Sequence, residues 1–98
     1  MKNKPLYLVV NIKVLAENKE FVKAELMKLV LPTRKEVGCL SYNIYEDNKD
    51  PNSFVFYENW ENYQAWQSHR QTKHMQKYYE LTNGMIEAKQ LFELSELA

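Results

Sequence analysis

Two histidines, one asparagine and one glutamate are the residues of this 98-residue chain best suited to proton transfer and charge stabilisation. His69 and His74 are its only histidines, and imidazole, with an ordinary pKa of about 6.5, suits a general base at neutral pH. Asn11 interrupts an apolar strand pattern, and Glu58 lies within an aromatic one. Together these residues could remove a proton from a weak acid and hold the resulting anion by hydrogen bonds.

Each of these residues also has an ordinary structural explanation. A histidine near a helix end is often a cap or a surface residue, and Asn11 is explained equally by a bulge or by an amide bonded to a neighbouring strand. A buried carboxylate needs hydrogen bonds or a cation, or it takes up a proton. Glu58 could therefore be an ion-pair partner of Arg34, Lys35 or Arg70.

Aromatic side chains around the glutamate are candidates for the walls of a substrate pocket. Strand alternation places Phe56 and Trp60 on the same face as Glu58, and Tyr57 on the other. Which of the three bind substrate depends on which face of the strand lines the pocket.

The spacing of the histidines argues against a metal site. His69 and His74 are five residues apart, and residues at that spacing do not share a face of one helix. A zinc or iron site would also need carboxylates from elsewhere in the fold. We therefore expect no metal ligands in this chain.

Composition limits the classes of partner and the compartment. The formal net charge is zero, with 13 basic and 13 acidic residues, so nothing suggests a nucleic-acid footprint. A single cysteine cannot form an intrachain disulfide, which favours the cytoplasm. The apolar run over residues 6–10 is too short for a signal peptide or a membrane span, so we expect no membrane association.

Hydrophobic periodicity predicts the elements that must position these side chains. The order is β-α-β-β-α-β within one domain, residues 1–98, with a core over about 6–94. Strands are predicted over 6–14, 39–47, 54–60 and 91–94, one helix after residue 18, and another over 61–70 followed by a helical turn capped by Thr72. This order is the ferredoxin-like α+β arrangement, a four-stranded antiparallel sheet with helices on one face.

The other face of the predicted sheet also carries apolar residues. We therefore expect a second copy of the chain to cover it. On the second strand, alternation predicts Leu40, Tyr42 and Ile44 on one face and Cys39, Asn43 and Tyr45 on the other.

The central stretch of the chain carries an ordered motif. It reads Glu36-x-Gly38-Cys39-Leu40-x-Tyr42, then Phe54-x-x-Tyr57-Glu58-x-Trp60, then the two histidines. This set resembles the antibiotic biosynthesis monooxygenase domain family, and within it the small stand-alone members described as quinol monooxygenases. The resemblance covers roughly residues 6–94.

The resemblance implies a dimeric α/β barrel in which each subunit keeps its own pocket between sheet and helices. It further implies oxidation of a small quinol-like or phenolic aromatic by O2, without a metal, flavin or other cofactor. His69 or His74 would be the base, and Asn11, at the position of a first-strand asparagine that recurs in the family, would hold the phenolate. Glu58 would orient a histidine or hold a polar substrate group, and Trp60, Phe56 and Tyr57 would contact the ring.

Relatives with the same fold have other activities, so the resemblance leaves the substrate open. They include an isomerase acting on a quorum-sensing sugar phosphate, and a ligand-binding role is a further alternative. A phosphate substrate would need a cation in the pocket, from Arg34, Lys35 or Arg70. Haem-degrading relatives share Asn11 but place an axial histidine where this chain has Tyr-Tyr-Glu at 78–80.

Overall fold

The computed structural model describes residues 4–98 and has the predicted ferredoxin-like α+β architecture. A short 3-10 turn, Ala16–Asn18, precedes the first helix. The elements in chain order are β1 (Leu6–Val14), α1 (Lys19–Arg34), β2 (Cys39–Glu46), β3 (Ser53–Trp60), α2 (Tyr63–Arg70), α3 (Lys73–Leu81) and β4 (Ile86–Leu94). Within residues 4–98 no helix has the length and apolar character needed to cross a membrane.

The four strands form one antiparallel sheet in the order β2-β3-β1-β4. The helices pack on one face, here called the covered face, and the opposite face is called the open face. Because side chains alternate along a strand, every second residue of the two central strands is buried under the helices. These residues are Leu8, Val10, Ile12 and Val14 from β1, and Phe54, Phe56, Glu58 and Trp60 from β3.

The second strand begins with a bulge that changes the predicted faces. The register with β3 shifts between Cys39 and Ser41, so Cys39 opposes Trp60 and packs against the core. Leu40 is turned to solvent and is 57% exposed. The predicted grouping of Leu40 with Tyr42 is therefore wrong, because one extra residue in the strand reverses the alternation before it.

The last strand is longer than predicted. It spans Ile86–Leu94, whereas the sequence predicted a strand over 91–94 only. It is an edge strand that pairs with β1, and most of its side chains are exposed. An exposed edge strand tolerates polar residues on both faces. The alternation of apolar and polar residues by which a strand is recognised is therefore weak before Leu91.

The loop between α1 and β2 packs tightly against α2. Gly38 has φ of +87°, which favours glycine, and a Cβ added there would lie 2.5 Å from Cβ of Ala65. The Gly38 carbonyl accepts a hydrogen bond of 2.8 Å from the backbone N–H of Glu61. This close approach places Glu36, two residues earlier, next to the face of α2 that carries Ala65.

The second helical segment is broken into two helices at Thr72. The Thr72 hydroxyl caps α3 by accepting a hydrogen bond of 3.3 Å from the Met75 N–H. It also donates a hydrogen bond of 2.8 Å to the His69 carbonyl. His69 therefore lies in the last turn of α2, while His74 lies in the first turn of α3. The break changes the angle between the two side chains from that of a continuous helix.

Candidate functional site

A cavity of about 430 Å³ lies between the covered face of the sheet and helices α2 and α3. Its volume is in the range of small-molecule sites. Its lining includes the polar residues Tyr42, Glu58 and His69. Its apolar walls come from Val10, Phe56, Trp66, Met75 and Tyr78.

Glu36 binds both histidines beside this cavity. Its Oε2 lies 2.9 Å from Nδ1 of His69 and 2.6 Å from Nε2 of His74. His69 is one helical turn beyond Ala65 on α2, so the tight Gly38 contact brings the carboxylate to the imidazole. Because a carboxylate only accepts hydrogen bonds, Nδ1 of His69 and Nε2 of His74 both donate to it. The other nitrogen of His69, Nε2, therefore keeps its lone pair.

The His69 ring is buried and held on two sides by aromatic rings. Its centroid lies 4.7 Å from that of Trp60 and 5.6 Å from that of Tyr42. Burial lowers the pKa of His69 below its ordinary value, although the hydrogen bond and the charge of Glu36 oppose this change. The ring is thus disposed to be neutral at pH 7, as a general base must be before it acts.

Tyr42 lines the cavity and has a buried hydroxyl without a partner. The side chain is 1% exposed, and its Oη has no hydrogen-bond partner among the described residues. Burial raises the pKa of Tyr42 well above its ordinary value, so the hydroxyl keeps its hydrogen. A buried donor without a partner is costly, and an acceptor atom on a ligand would satisfy it.

Glu58 is a buried carboxyl group that also lines the cavity. It accepts a hydrogen bond of 2.9 Å from Nε1 of Trp60. Burial raises the pKa of Glu58 to about 7, while the Trp60 hydrogen bond and the charge of Lys89 oppose the change. The group therefore exists in both protonation states near neutral pH, and it can donate or accept a proton in the cavity.

The alternative in which Glu58 is an ion-pair partner of Arg34, Lys35 or Arg70 is not observed among residues 4–98. Glu58 forms none of the ion pairs found over residues 4–98. Arg34 instead binds strand β2, donating from Nε to the Tyr42 carbonyl at 3.0 Å. Arg70 and Lys89 do line the cavity, and both are exposed at its rim.

Four of the predicted site residues lie outside the cavity. Asn11 is on the open face, where its Oδ1 accepts a 2.8 Å hydrogen bond from Ser53 Oγ, so the explanation by an amide bonded to a neighbouring strand is the one observed. Tyr57 is also on the open face, 54% exposed. Trp60 is on the covered face but lies behind His69. Of the predicted residues, His69, Glu58 and Phe56 line the cavity, whereas His74 lies outside it and is hydrogen-bonded to Glu36.

The premise that the two histidines cannot meet is also wrong. The five-residue spacing was evaluated for one helix, whereas His69 and His74 lie on two helices with ring centroids 6.2 Å apart. Glu36 supplies the carboxylate that spacing alone could not identify. Ligand-type atoms of these three residues all lie within 4.8 Å of one another.

Sequence reasoning missed Glu36 and Tyr42 as site residues. Both were in the motif that carried the family resemblance, but only as positions of a pattern. The signal available was their clustering around Gly38, which marks a tight loop next to a strand start. Nothing in the sequence indicated that this loop contacts α2.

Comparisons with known proteins agree with the fold. A family model described as "Antibiotic biosynthesis monooxygenase" matches residues 5–81. A crystal structure of PA3566 from Pseudomonas aeruginosa superposes with a TM-score of 0.92 at 28% identity, covering 100% of this chain and 99% of that one.

Two curated relatives are similar in sequence. The uncharacterized protein sll1783 of Synechocystis is 37% identical over 82 residues, which is 84% of this chain and 56% of that protein. This chain thus spans just over half the length of that relative. "Putative monooxygenase YcnE" of Bacillus subtilis is 34% identical over 67 residues, or 68% of this chain and 70% of that protein. With the family model matching most of its length, the chain belongs to the antibiotic biosynthesis monooxygenase family.

Proposed function

We propose that this protein is a cofactor-independent monooxygenase that oxidises a small quinol-like or phenolic aromatic with O2. The observation that carries the proposal is His69, which lines the cavity while its Nδ1 is bonded to Glu36 outside it. This arrangement orients the ring and leaves Nε2 as the polar edge available to a ligand. A histidine held by a carboxylate in this way is suited to remove a phenolic proton.

The reaction begins when Nε2 of His69 takes the proton of the phenol. Tyr42 then donates its hydrogen bond to the phenolate oxygen, the role that the sequence analysis gave to Asn11. Phe56 and Met75 provide apolar wall for the ring. Burial of the anion away from water removes its stabilising hydration, which makes it a stronger electron donor to O2.

Electron transfer leaves a phenoxyl radical and superoxide in the cavity. They combine by forming a carbon–oxygen bond, and the resulting peroxide anion takes a proton, which Glu58 can supply at its pKa of about 7. Loss of the C–H proton from the same carbon and cleavage of the O–O bond then give a quinone and water. One oxygen atom of O2 enters the product and the other leaves as water.

The open face supports the proposal that the active form is a homodimer. Its large exposed side chains include Tyr45, Tyr57, Phe92 and Leu94. An apolar sheet face of this size favours a self-complementary interface. Since each cavity lies on the covered face of its own chain, such a dimer would leave both cavities accessible. The single cysteine is compatible with a cytoplasmic dimer.

The test is oxygen uptake with a panel of one-ring and two-ring phenols and hydroquinones, measured with wild type and His69→Ala. We expect wild type to exceed the uncatalysed rate and His69→Ala to lose at least about 100-fold. Added imidazole should restore part of the rate, because the vacated cavity can accept it. Gln64→Ala, which changes an exposed residue of the same helix that does not line the cavity, is the matched control. Wild-type uptake at the uncatalysed rate throughout the panel would refute the proposal.

A second candidate is a non-oxidative isomerase, favoured by the two cations at the cavity rim. Arg70 and Lys89 could bind a phosphate, and Glu58 and His69 could move a proton between neighbouring carbons. Such an enzyme needs no O2. Turnover of a sugar-phosphate ketone under nitrogen, together with no oxygen uptake on the phenol panel, would select this candidate.

A further inference from the structure

The cluster of Glu36, His69 and His74 has the composition of a metal site. Two imidazoles and one carboxylate form a donor set that binds Zn²⁺ and other first-row divalent ions. Their ligand-type atoms lie within 4.8 Å of one another and come from three separate elements, the α1–β2 loop, α2 and α3. We propose that this cluster binds one divalent transition-metal ion of the Zn²⁺ type, and that the bound ion inhibits the enzyme.

The cluster needs a small rearrangement to hold such an ion. Zinc–nitrogen distances of about 2.0–2.1 Å in a tetrahedral site imply ligand separations of about 3.3–3.5 Å. The Glu36 oxygen now lies 2.9 and 2.6 Å from the two nitrogens, so it must retreat by less than about 1 Å. Because His69 is held between two aromatic rings, the movement falls to Glu36 and His74.

An ion can reach the cluster without passing through the substrate cavity. The His74 side chain is 25% exposed. Glu36 also lines a second cleft, of about 420 Å³, together with the polar residues Asn62, Ser68 and Thr72. Three protein ligands leave one tetrahedral position open, and a water molecule in this cleft could complete the coordination.

Inhibition follows from the tautomer of His69, and this part rests on the proposed function. Without the ion, Nδ1 carries the hydrogen and Nε2 the lone pair. An ion bound at Nδ1 takes the lone pair of that nitrogen, so the one hydrogen of the neutral ring must move to Nε2. No proton is gained or lost overall. Nε2 then donates to the cavity instead of accepting, and it cannot take a proton from the substrate.

Binding can be tested without reference to activity. Zn²⁺ affinity is measured by competition with a chromophoric chelator for wild type, His74→Ala, Glu36→Gln and Glu61→Gln. Glu61 is a carboxylate of the same cleft outside the cluster, and therefore the matched control. We expect one Zn²⁺ per wild-type chain, an affinity at least about tenfold weaker in His74→Ala and Glu36→Gln, and no change in Glu61→Gln.

Circular dichroism first shows which ligand variants are folded. If those variants bind Zn²⁺ with the same affinity as wild type, the proposed site is wrong. The activity arm adds Zn²⁺ and then a chelator to an active preparation, and we expect inhibition that the chelator reverses. Binding without inhibition would contradict the assignment of Nδ1 as a ligand. If Zn²⁺ binds but phenols are never oxidised, the proposed function fails and the site stands. If phenols are oxidised but wild type binds Zn²⁺ no better than His74→Ala, only the site fails.

Discussion

The covered and open faces of the sheet are built from the same strands, yet the cavity lies on the covered face. On the covered face, Tyr42 has a buried hydroxyl without a protein partner, and Glu58 holds a buried carboxyl with one hydrogen bond and no ion pair. On the open face, Asn11 is partnered by Ser53 across the neighbouring strand. Tyr42 and Glu58 thus combine unused hydrogen-bonding capacity with a place in the cavity lining, whereas Asn59, whose buried Oδ1 also lacks a partner within residues 4–98, is on the open face away from the cavity.

This difference shows what distinguishes a site residue from a structural one in a strand. A polar residue in an apolar pattern is no sign of function when a neighbour satisfies it, as for Asn11. A buried polar group that lacks a partner raises the free energy of the folded state, and it indicates a site only where it also lines a cavity, as Tyr42 does and Thr33 and Asn59 do not. The comparison therefore supports the proposal that Tyr42, and not Asn11, holds the anion.

The largest expected effect is the contrast between His69 and Asn11. His69→Ala should lower the rate of oxygen uptake by at least about 100-fold, because it removes the base, whereas Asn11→Ala should change that rate by less than about twofold. Steady-state rates of the two folded variants on one phenol test this contrast. A loss in Asn11→Ala comparable to that in His69→Ala would break the distinction between the faces.

Glu58 should make the stability of the protein depend on pH. Its pKa is about 7 in the folded chain against an ordinary 4.5, so the unfolded chain binds fewer protons between those values. Stability should therefore fall as pH rises from about 4.5 to about 7. Glu58→Gln should remove this loss, gaining about 3 kcal/mol over wild type above pH 7 and little near pH 4.5.

Urea unfolding at pH 4.5 and pH 8.5 measures the effect. Glu93→Gln, which changes an exposed carboxyl on the edge strand, is the control and should behave as wild type at both values. If Glu58→Gln and wild type differ equally at the two pH values, the Glu58 carboxyl does not hold its proton as described.

Tyr42→Phe should lower activity while raising stability. Removal of an unpartnered buried hydroxyl should stabilise the fold by about 1 kcal/mol, and loss of the donor to the phenolate should slow oxygen uptake by about tenfold or more. Tyr45→Phe on the open face should alter stability by less than about 0.5 kcal/mol. Thermal unfolding and rate measurements on both variants test the pair. A destabilised Tyr42→Phe would mean that the hydroxyl already has a partner.

The smallest effect on activity is expected from a substitution on the open face. Phe92 is 48% exposed there, and Phe92→Arg should convert a dimer into a monomer by placing a charge in the interface. Light scattering should give about twice the chain mass of 11.8 kDa for wild type and the single-chain mass for the variant. Oxygen uptake per chain should change by less than about twofold, because each chain holds its own cavity. A wild-type monomer at micromolar concentration would contradict the dimer.

The sequence predicted most of the fold because alternation along β1 and β3 is unbroken. Both faces of those strands were assigned correctly, including the position of Glu58 among buried aromatic rings. Prediction failed at the start of β2, where a bulge reverses the pattern, and at the exposed β4, where burial imposes no alternation on the residues before Leu91.

The site was less predictable because its geometry comes from packing between distant segments. His69 and Glu58 were identified from residue type, but the partner of His69 is 33 residues away in a loop. That contact depends on the fit of Gly38 against Ala65 and on the helix break at Thr72, which fix positions in space and not along the chain. Tyr42 could be placed on a strand, but its lack of a partner is visible only once its surroundings are known.

The long sequence separation within the Glu36 cluster has a consequence for the order of events in folding. Its hydrogen bonds close segments of 33 and 38 residues, whose ends meet only after the β2–β3 hairpin has formed and α2 has docked on it. Helices and turns form faster than contacts of this range. During refolding, recovery of catalytic activity should therefore lag behind the far-ultraviolet circular dichroism signal, so the cluster would report completion of the tertiary structure. Simultaneous recovery of the two signals would show that the cluster assembles with the secondary structure.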